Sequence, residues 1–570
     1  MLKQIARICA AHGKRLEAST EEFFTLSDQM PSAQISRNMR LSSAIAVLLG
    51  VALLTAGSLN AQYKAKVQID PSKPKAMFYP TSIGTAADVW DGKPFTPETI
   101  QLLNDAGITN LRYPGNGGID AVYHWSTGKV TNPYSNDKGL DFGADKSLPK
   151  ALPAMVQIGT ALITVNYGSN LDGSGGGEPA EAAAEVAYAN GSVSSTQVIG
   201  KDSKGNDWKT VGYWAGLRSA DPLPADDGYN ALRISHAAPF GIQLWAVGNE
   251  PYNDGFYGGN HGGEPDLHGG QIPSKKEWAR HSGDKRFGPT AYGAAAVEFI
   301  KAMKAVDPSI LVGVALKPFD PNDEDHMGKN WDPEVLKAAC ASMDFGVVSL
   351  MTGKAIETDW KTLDDADLLK NALGRDFGAM MQDIIPNEQK FCPAGHMPQL
   401  AVTNFGVNSW MPTKRPVAIG LFAAEGVASM MENGVYSVQW SPEHSVFMID
   451  DSNKPKPAYY GIKMIHEMGQ PGDVFVAAST SLDALGVHAV KRADGGLGLL
   501  FVSKEIGQSV KVTVSINGYN YAAKGTRYDW NQGSLDAGKD VTSAPIDNLG
   551  PTFTVDVPPS GIVAIVIPKA

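Results

Sequence analysis

The run Trp245-Ala246-Val247-Gly248-Asn249-Glu250-Pro251 sets a carboxyl at the end of an apolar, strand-like stretch. A carboxyl held there can give a proton to a leaving oxygen, and the Asn249 amide beside it can bond a sugar hydroxyl. The plain alternative is that Glu250 only caps the loop that follows; the strand, the position and the neighbours weigh for chemistry. Cleavage of a glycosidic bond needs a second carboxyl, about 5 Å from the first if it attacks the anomeric carbon and about 6.5–9.5 Å if it activates water. Two further acids lie close by in sequence to strand ends: Asp254, just past Glu250, and Glu443, in Trp440-Ser441-Pro442-Glu443-His444. Each also reads as a solvated loop acid. The glycine run Gly173-Ser174-Gly175-Gly176-Gly177 lacks the Lys-Ser/Thr of a phosphate-binding loop and any dinucleotide fingerprint, so it reads as a flexible loop and no cofactor is implied. The three cysteines show no metal-ligand spacing. With Cys9 in the leader, Cys340 and Cys392 are expected as buried free thiols, one disulfide being the alternative.

A strand-end acid works only if its strand is held by others. Eight short apolar runs recur: 77–84, Asn110–Tyr113, 161–168, 242–249, 310–316, 343–350, 399–405 and 435–441. Several are apolar on both faces, as strands buried in a parallel sheet are. Amphipathic helical patterns lie between them, at 97–106, 178–189, 291–306, 364–384 and Val417–Glu432. Glu178-Pro179 is a good helix start, with an acid and a proline in the first turn. Eight strands alternating with helices predict an α/β chain, a (β/α)₈ TIM barrel whose catalytic residues belong at the C-terminal strand ends. Past about residue 470 helical periodicity gives way to short strands with Gly, Asn, Asp and Pro turns, which predicts an all-β sandwich. The expected domains are a leader over 1–61, a strand segment over 62–76 pairing with the sandwich, the barrel over 77–469 and the sandwich over 470–570. Two inserts, 191–228 and 251–289, are rich in Gly, Asp, Ser and Asn, and the second follows Glu250 directly.

The chain has 570 residues and a net charge of −11. Residues 1–61 hold six Lys and Arg against four Asp and Glu, leaving the remainder at −13. An acidic body argues against nucleic acid and anionic membrane surfaces as main partners and suits a neutral ligand such as an oligo- or polysaccharide. Residues 39–61 read as a secretory signal peptide, with Arg40 ahead of an apolar run and Ala61 before the cleavage point; an uncleaved anchor is the alternative, and Met39 is a candidate initiator. The expected location is secreted or periplasmic.

Several stretches together resemble a known group: Leu111-Arg112-Tyr113-Pro114-Gly115 through Tyr123-His124-Trp125, Thr164-Val165-Asn166-Tyr167-Gly168, the helix from Glu178 to Asn190, and Pro239-Phe240-Gly241 through Pro251. They are similar to the clan A glycoside hydrolases, in particular the α-L-arabinofuranosidase-like proteins of glycoside hydrolase family 51 and relatives. The resemblance implies a barrel joined to a β-sandwich. It gives Glu250 the role of acid/base and Asn249 that of its sugar-binding neighbour, sets Arg112, Asn166 and Tyr167 on the same face, and makes Tyr257 and Trp440 walls of a sugar pocket. Two positions depart from the family. Its nucleophile, a Glu ending the seventh strand, is matched by Asn404 in Leu400-Ala401-Val402-Thr403-Asn404-Phe405-Gly406, and the His expected at the end of the sixth strand is matched by Ser349. A neutral amide cannot form a glycosyl ester. Three routes stay open: a replacement carboxylate such as Glu443 or Asp254, a more distant base and inversion, or Asn404 orienting a substrate acetamido group. The two function classes are then a hydrolase with weak or altered activity and a sugar-binding pseudoenzyme.

Overall fold

The computed structural model describes residues 62–115, 122–131, 141–253, 266–268, 288–317, 328–352, 368–369, 373–407, 415–442, 444–445 and 448–570. The leader with its signal-type segment, and Asp254, Tyr257 and Glu443, lie outside the described residues.

The described chain opens with a long strand, β1 (Tyr63–Met77). It then runs through β2 (Ile83–Ala86) and β3 (Asn110–Tyr113) and, past a short hairpin of β4 (Tyr123–His124) and β5 (Lys129–Val130), through β6 (Thr160–Val165), β7 (Leu244–Val247), β8 (Leu311–Ala315), β9 (Phe345–Thr352), β10 (Gln399–Val407) and β11 (Ser437–Trp440). In that order β2, β3 and β6 to β11 close a parallel barrel, with β11 pairing back onto β2. Strands β2, β3, β7 and β11 are buried along their whole length. Helices cover them outside, and Leu162, Leu244, Ala246, Phe345, Val347 and Ala401 fill them inside.

The covering helices are α1 (Pro97–Asp105) after β2, α2 (Leu148–Ile158) after the hairpin, α3 (Pro179–Asn190) and α4 (Val211–Ser219) after β6, then α5 (Gly288–Val306), α6 (Gly328–Ala339), α7 (Leu373–Phe391) and α8 (Val417–Glu432) after β7 to β10, and α9 (Pro457–Met468) after β11. Local sequence sets their starts: Thr96 accepts the Thr99 backbone N–H at 3.2 Å and Pro97 opens α1. Helix α8 is apolar nearly all round because it lies between the barrel and the second domain. It crosses α9 at Gly420 and Gly461, where an added Cβ on Gly461 would stand 2.1 Å from the Gly420 carbonyl oxygen, so the two backbones touch.

The second domain comprises β12 (Val474–Thr480), β13 (Leu485–Lys491), β14 (Leu497–Ser503), β15 (Val510–Ile516), β16 (Lys524–Asn531), β17 (Thr542–Asp547), β18 (Thr552–Val557) and β19 (Gly561–Ile567). With β1 they form a mixed nine-stranded sheet in the order β17-β16-β19-β14-β13-β12-β1-β15-β18. The sheet doubles over, so that Val67, Val512 and Val555 on one side meet Leu499, Phe501 and Ile565 on the other in one core, making a sandwich. Strand β1 runs antiparallel to β12 and, from Tyr63↔Val510 to Ile69↔Ile516, parallel to β15.

The structure departs from the sequence reading in places. Met77 ends β1 rather than opening the barrel, whose first strand starts at Ile83. Strands β16 and β17 were not expected: β16 is polar and only half-buried, and β17 is an exposed edge strand carrying Pro545. Cys340 and Cys392 are a disulfide rather than two thiols. They sit just past the C-terminal ends of α6 and α7, which pack side by side and bring the two Cα atoms to 5.3 Å. Among the described residues no helix is long and apolar enough to cross a membrane.

A charged cluster joins the two domains. His488 of β13 is buried; its Nδ1–H donates to Glu432 at 3.1 Å and its Nε2–H to Glu425 at 3.3 Å, both on α8. Lys504 and Lys75 complete it, donating to Glu425 at 3.1 Å and Glu432 at 3.2 Å. Burial alone would lower the imidazole, but its two carboxylate partners raise it to about 9. Burial would raise Glu425, but His488 and Lys504 hold it at about 2. The raised His488 contributes stability that is complete below about 6.5, its ordinary value, and is lost as pH climbs through about 9. The lowered Glu425 contributes above about 4.5 and is lost as pH falls toward about 2. The Tm difference between wild type and His488→Gln, followed by calorimetry, should therefore be largest between about pH 4.5 and 6.5, where the change costs about 3 kcal/mol, and should shrink as pH climbs through about 9. A Tm difference that stays constant across that range refutes this assignment. Cys392→Ser, which opens a cross-link spanning 52 residues, should cost about 2–4 kcal/mol in urea titration.

Candidate active site

The chain turns sharply as it leaves β7. Gly248 has φ 67°, a conformation natural to glycine, and a Cβ there would lie 2.7 Å from that of Tyr167. Two residues on, Glu250 itself has φ 42°. A left-handed non-glycine residue costs about 1–2 kcal/mol and points to a position selected for where its side chain goes. Below it, the Tyr292 hydroxyl of α5 donates to the Val247 carbonyl at 2.7 Å and accepts the Ala315 N–H at 2.8 Å, stitching β7 to β8.

Arg112 stands inside the mouth, 1% exposed. Its Nη2 donates to Asn249 Oδ1 at 2.7 Å, its Nη1 to the Thr403 carbonyl at 3.0 Å and its Nε to Thr164 Oγ1 at 3.4 Å. One guanidinium thus fixes the residue before Glu250 and the residue before Asn404. Pairing of β10 is irregular at this point, between Val402 and Asn404 on the β9 side and between Val402 and Phe405 on the β11 side. Such an irregularity re-aims a side chain. Asn404 lies in register with Ser349 of β9, and its Nδ2 donates to Glu250 Oε1 at 3.3 Å. A carboxylate only accepts, so the amide nitrogen faces it and the amide carbonyl is left over. That Oδ1 is buried with no hydrogen-bond partner among the described residues.

The other expected site residues are placed differently. Asn166 follows β6 at the mouth, but its side chain is committed to a buried cluster: Nδ2 lies 3.2 Å from His124 Nδ1, and Oδ1 accepts the Ser169 N–H at 3.1 Å. His124 Nδ1 also meets Glu181 Oε1 at 2.9 Å. Tyr167 is buried, its ring stacked on His268 at 4.4 Å and edge-on to Tyr292 at 5.0 Å. Trp440, expected as a pocket wall, is 1% exposed, with its ring edge-on to Phe405 of β10.

Three features escaped the sequence reading. His268, in the insert after Glu250, lies 2.7 Å from Asp266 Oδ1 and donates through Nε2 to the Gly177 carbonyl at 3.1 Å, while Leu267 N–H donates to Gly168. Burial would lower its imidazole, but Asp266 raises it overall. The insert is therefore pinned at Asp266–His268 to the end of β6. The His124–Glu181 pair is the second, and nothing in its spacing marked it. Asp88, two residues past β2, is the third: a carboxyl at the mouth, hidden because the expected first strand ended at residue 84.

No protein-family model and no curated protein sequence matches the chain. Solved structures do match it, along most of its length. An arabinofuranosidase crystal structure superposes with TM-score 0.61 at 17% identity, covering 88% of this chain and 100% of the other. The α-L-arabinofuranosidase of Thermotoga maritima in its arabinose complex gives 0.59 at 18%, covering 88% and 99%. A Paenibacillus polymyxa xyloglucanase of glycoside hydrolase family 44 gives 0.55 at 14%, covering 89% and 100%. At these identities the likeness establishes the shared architecture, and this chain has the fold of those glycosidase structures, a parallel barrel joined to a β-sandwich.

Proposed function

We propose that this protein is a secreted or periplasmic glycoside hydrolase-like protein whose barrel mouth takes polysaccharide side chains, in the manner of α-L-arabinofuranosidases, with Glu250 as general acid/base. Its hydrolysis is weak or altered because Asn404 occupies the place of the usual nucleophile. The observation that carries the reading is the meeting of Glu250 and Asn404 at 3.3 Å. The two strand ends that would bear both carboxyls of a retaining enzyme face each other, and one bears an amide. Glu250 gives its proton to the departing oxygen; Arg112 holds Asn249 in place, so the sugar-binding amide is set before substrate arrives. The Cys340–Cys392 disulfide fits an oxidising compartment, in keeping with the signal-type segment.

The second reading is a sugar-binding pseudoenzyme, favoured by the neutral Asn404 with Ser349 in register beside it. Turnover of an aryl glycoside panel separates the two. On the first reading, Glu250→Gln lowers hydrolysis of 4-nitrophenyl α-L-arabinofuranoside by about 10²–10⁴-fold, with sugar binding by calorimetry unchanged. Asn404→Glu restores a nucleophile and raises turnover by at least about tenfold, the smallest gain a restored covalent step should give. Wild-type rates in Glu250→Gln contradict the acid/base role. Sugar binding without any turnover in the wild type selects the pseudoenzyme.

A further inference from the structure

We propose that Asp88 is the second catalytic carboxyl of the mouth and serves as general base in a single-displacement, inverting hydrolysis with Glu250 as acid. The proposal rests on the glycoside hydrolase reading of the site.

Register places the side chain. Strand β2 pairs with β3 as Gly84↔Asn110 and Ala86↔Arg112, and the ladder continues beyond both strands, Ala87 N–H donating to the Arg112 carbonyl and Val89 N–H to the Pro114 carbonyl, each at 2.9 Å. With the two-residue alternation of a strand, Asp88 shares the inward face of Ala86 and Arg112, one step nearer the mouth. A Cβ on Gly115 would lie 2.5 Å from the Asp88 Cα, so the two strand extensions run in contact. Position round the barrel is the second observation. In the closed ring, β2 stands three strands from β7 on one side, and β10 stands three strands from β7 on the other. Asp88 is thus as far round from Glu250 as Asn404 is. A base that works through a water needs a wider separation from the acid than a nucleophile does, and an acid carried on a different strand from Asn404 suits that inverting arrangement.

The surroundings suit a base. Asp88 is half-buried and so reachable by water. Burial and the neighbouring Asp91 favour its protonated form; the Trp90 N–H at 2.9 Å and the Arg112 guanidinium favour the anion; the balance falls at about 7. Asp91 is itself paired with His444, whose other ring nitrogen meets Asn453, and Lys93 donates to the Asp451 carbonyl. In the reaction, the Asp88 carboxylate takes a proton from water as the water oxygen bonds to the anomeric carbon from the face opposite the leaving group. The carbon–oxygen bond to the leaving group breaks, its electron pair stays on that oxygen, and Glu250 supplies the proton. One water is consumed; Asp88 ends protonated and Glu250 ionised, and exchange with solvent resets both.

The test uses the full chain with 4-nitrophenyl α-L-arabinofuranoside. Proton NMR of the first-formed arabinose should show the β anomer. The kcat/KM profile should rise with pH through about 7, since the base must be ionised. Asp88→Asn should lower kcat/KM by about 10²–10⁴-fold and abolish that limb, and added azide should restore turnover with the β-glycosyl azide as product. Should Asp88→Asn lose its thermal transition, Asp88→Glu serves instead, keeping the limb and the inverted product at reduced rate. Retention of configuration overturns the proposal. So does an Asp88→Asn rate within tenfold of wild type, and if Glu250→Gln is inert in the same assay the glycosidase reading stands without Asp88. A wild type that binds arabinoside but releases no product overturns the role of Asp88 and leaves sugar binding; one that neither binds nor cleaves removes both readings.

Discussion

The buried guanidinium of Arg112 reaches from β3 to Thr164 on β6, to Asn249 after β7 and to Thr403 on β10. No strand of the barrel mouth could place its own end residue to a few tenths of an ångström, because each is only four to nine residues long and is followed by a loop. A planar donor fork bridging them removes that freedom. The cost is a positive charge inside the barrel, which must be matched by carbonyls and by an anion nearby. Asp88, on the same face one step up, is the carboxylate whose ionisation that charge assists. Burial raises Asp88 overall, and the residue that holds the positions before Glu250 and Asn404 works against that by favouring its anion.

On the proposed reading, an amide in the nucleophile's place changes more than one bond-forming step. The retaining pattern depends on an anion beneath the sugar, which both attacks and steadies positive charge at the anomeric carbon. On the proposed reading Asn404 puts no anion in that place, while Glu250, Asn249 and the Arg112 that holds Asn249 are all present at the mouth. Chemistry that survives such a change must draw its negative charge from elsewhere in the mouth. The left-handed backbone at Glu250 shows that this carboxyl is still held in a conformation that folding alone does not favour.

Much of this was legible in the sequence, and the reasons for success and failure are physical. Strands such as Asn110–Tyr113, and helix Val417–Glu432, were readable because burial on all sides leaves an unbroken apolar run. The barrel mouth was readable where a polar residue directly ends such a run, as at Asn249, Glu250 and Asn404. Met77 misled because it is apolar and follows a short polar stretch, yet it pairs with Val474 and belongs to the other domain. That shift carried Asp88 out of view. Trp440 was ambiguous for a different reason: an aromatic at a strand end fits a sugar platform and a core plug equally well, and in the fold it is buried edge-on to Phe405. The disulfide was illegible because Cys340 and Cys392 approach through helix packing across 52 residues, a distance that carries no local signal.

Strand β1 has a consequence for how this molecule can be divided. It precedes the barrel in the chain, yet it is an interior strand of the sandwich, lying between β12 and β15. A fragment cut at residue 470 to isolate the C-terminal domain would contain both neighbours and lack the strand between them. Two rows of unpaired backbone amides and carbonyls would face each other across the gap, a ready template for strands from other molecules. The excised sandwich would be a self-associating fragment that a synthetic copy of residues 63–77, supplied in trans, is shaped to complete.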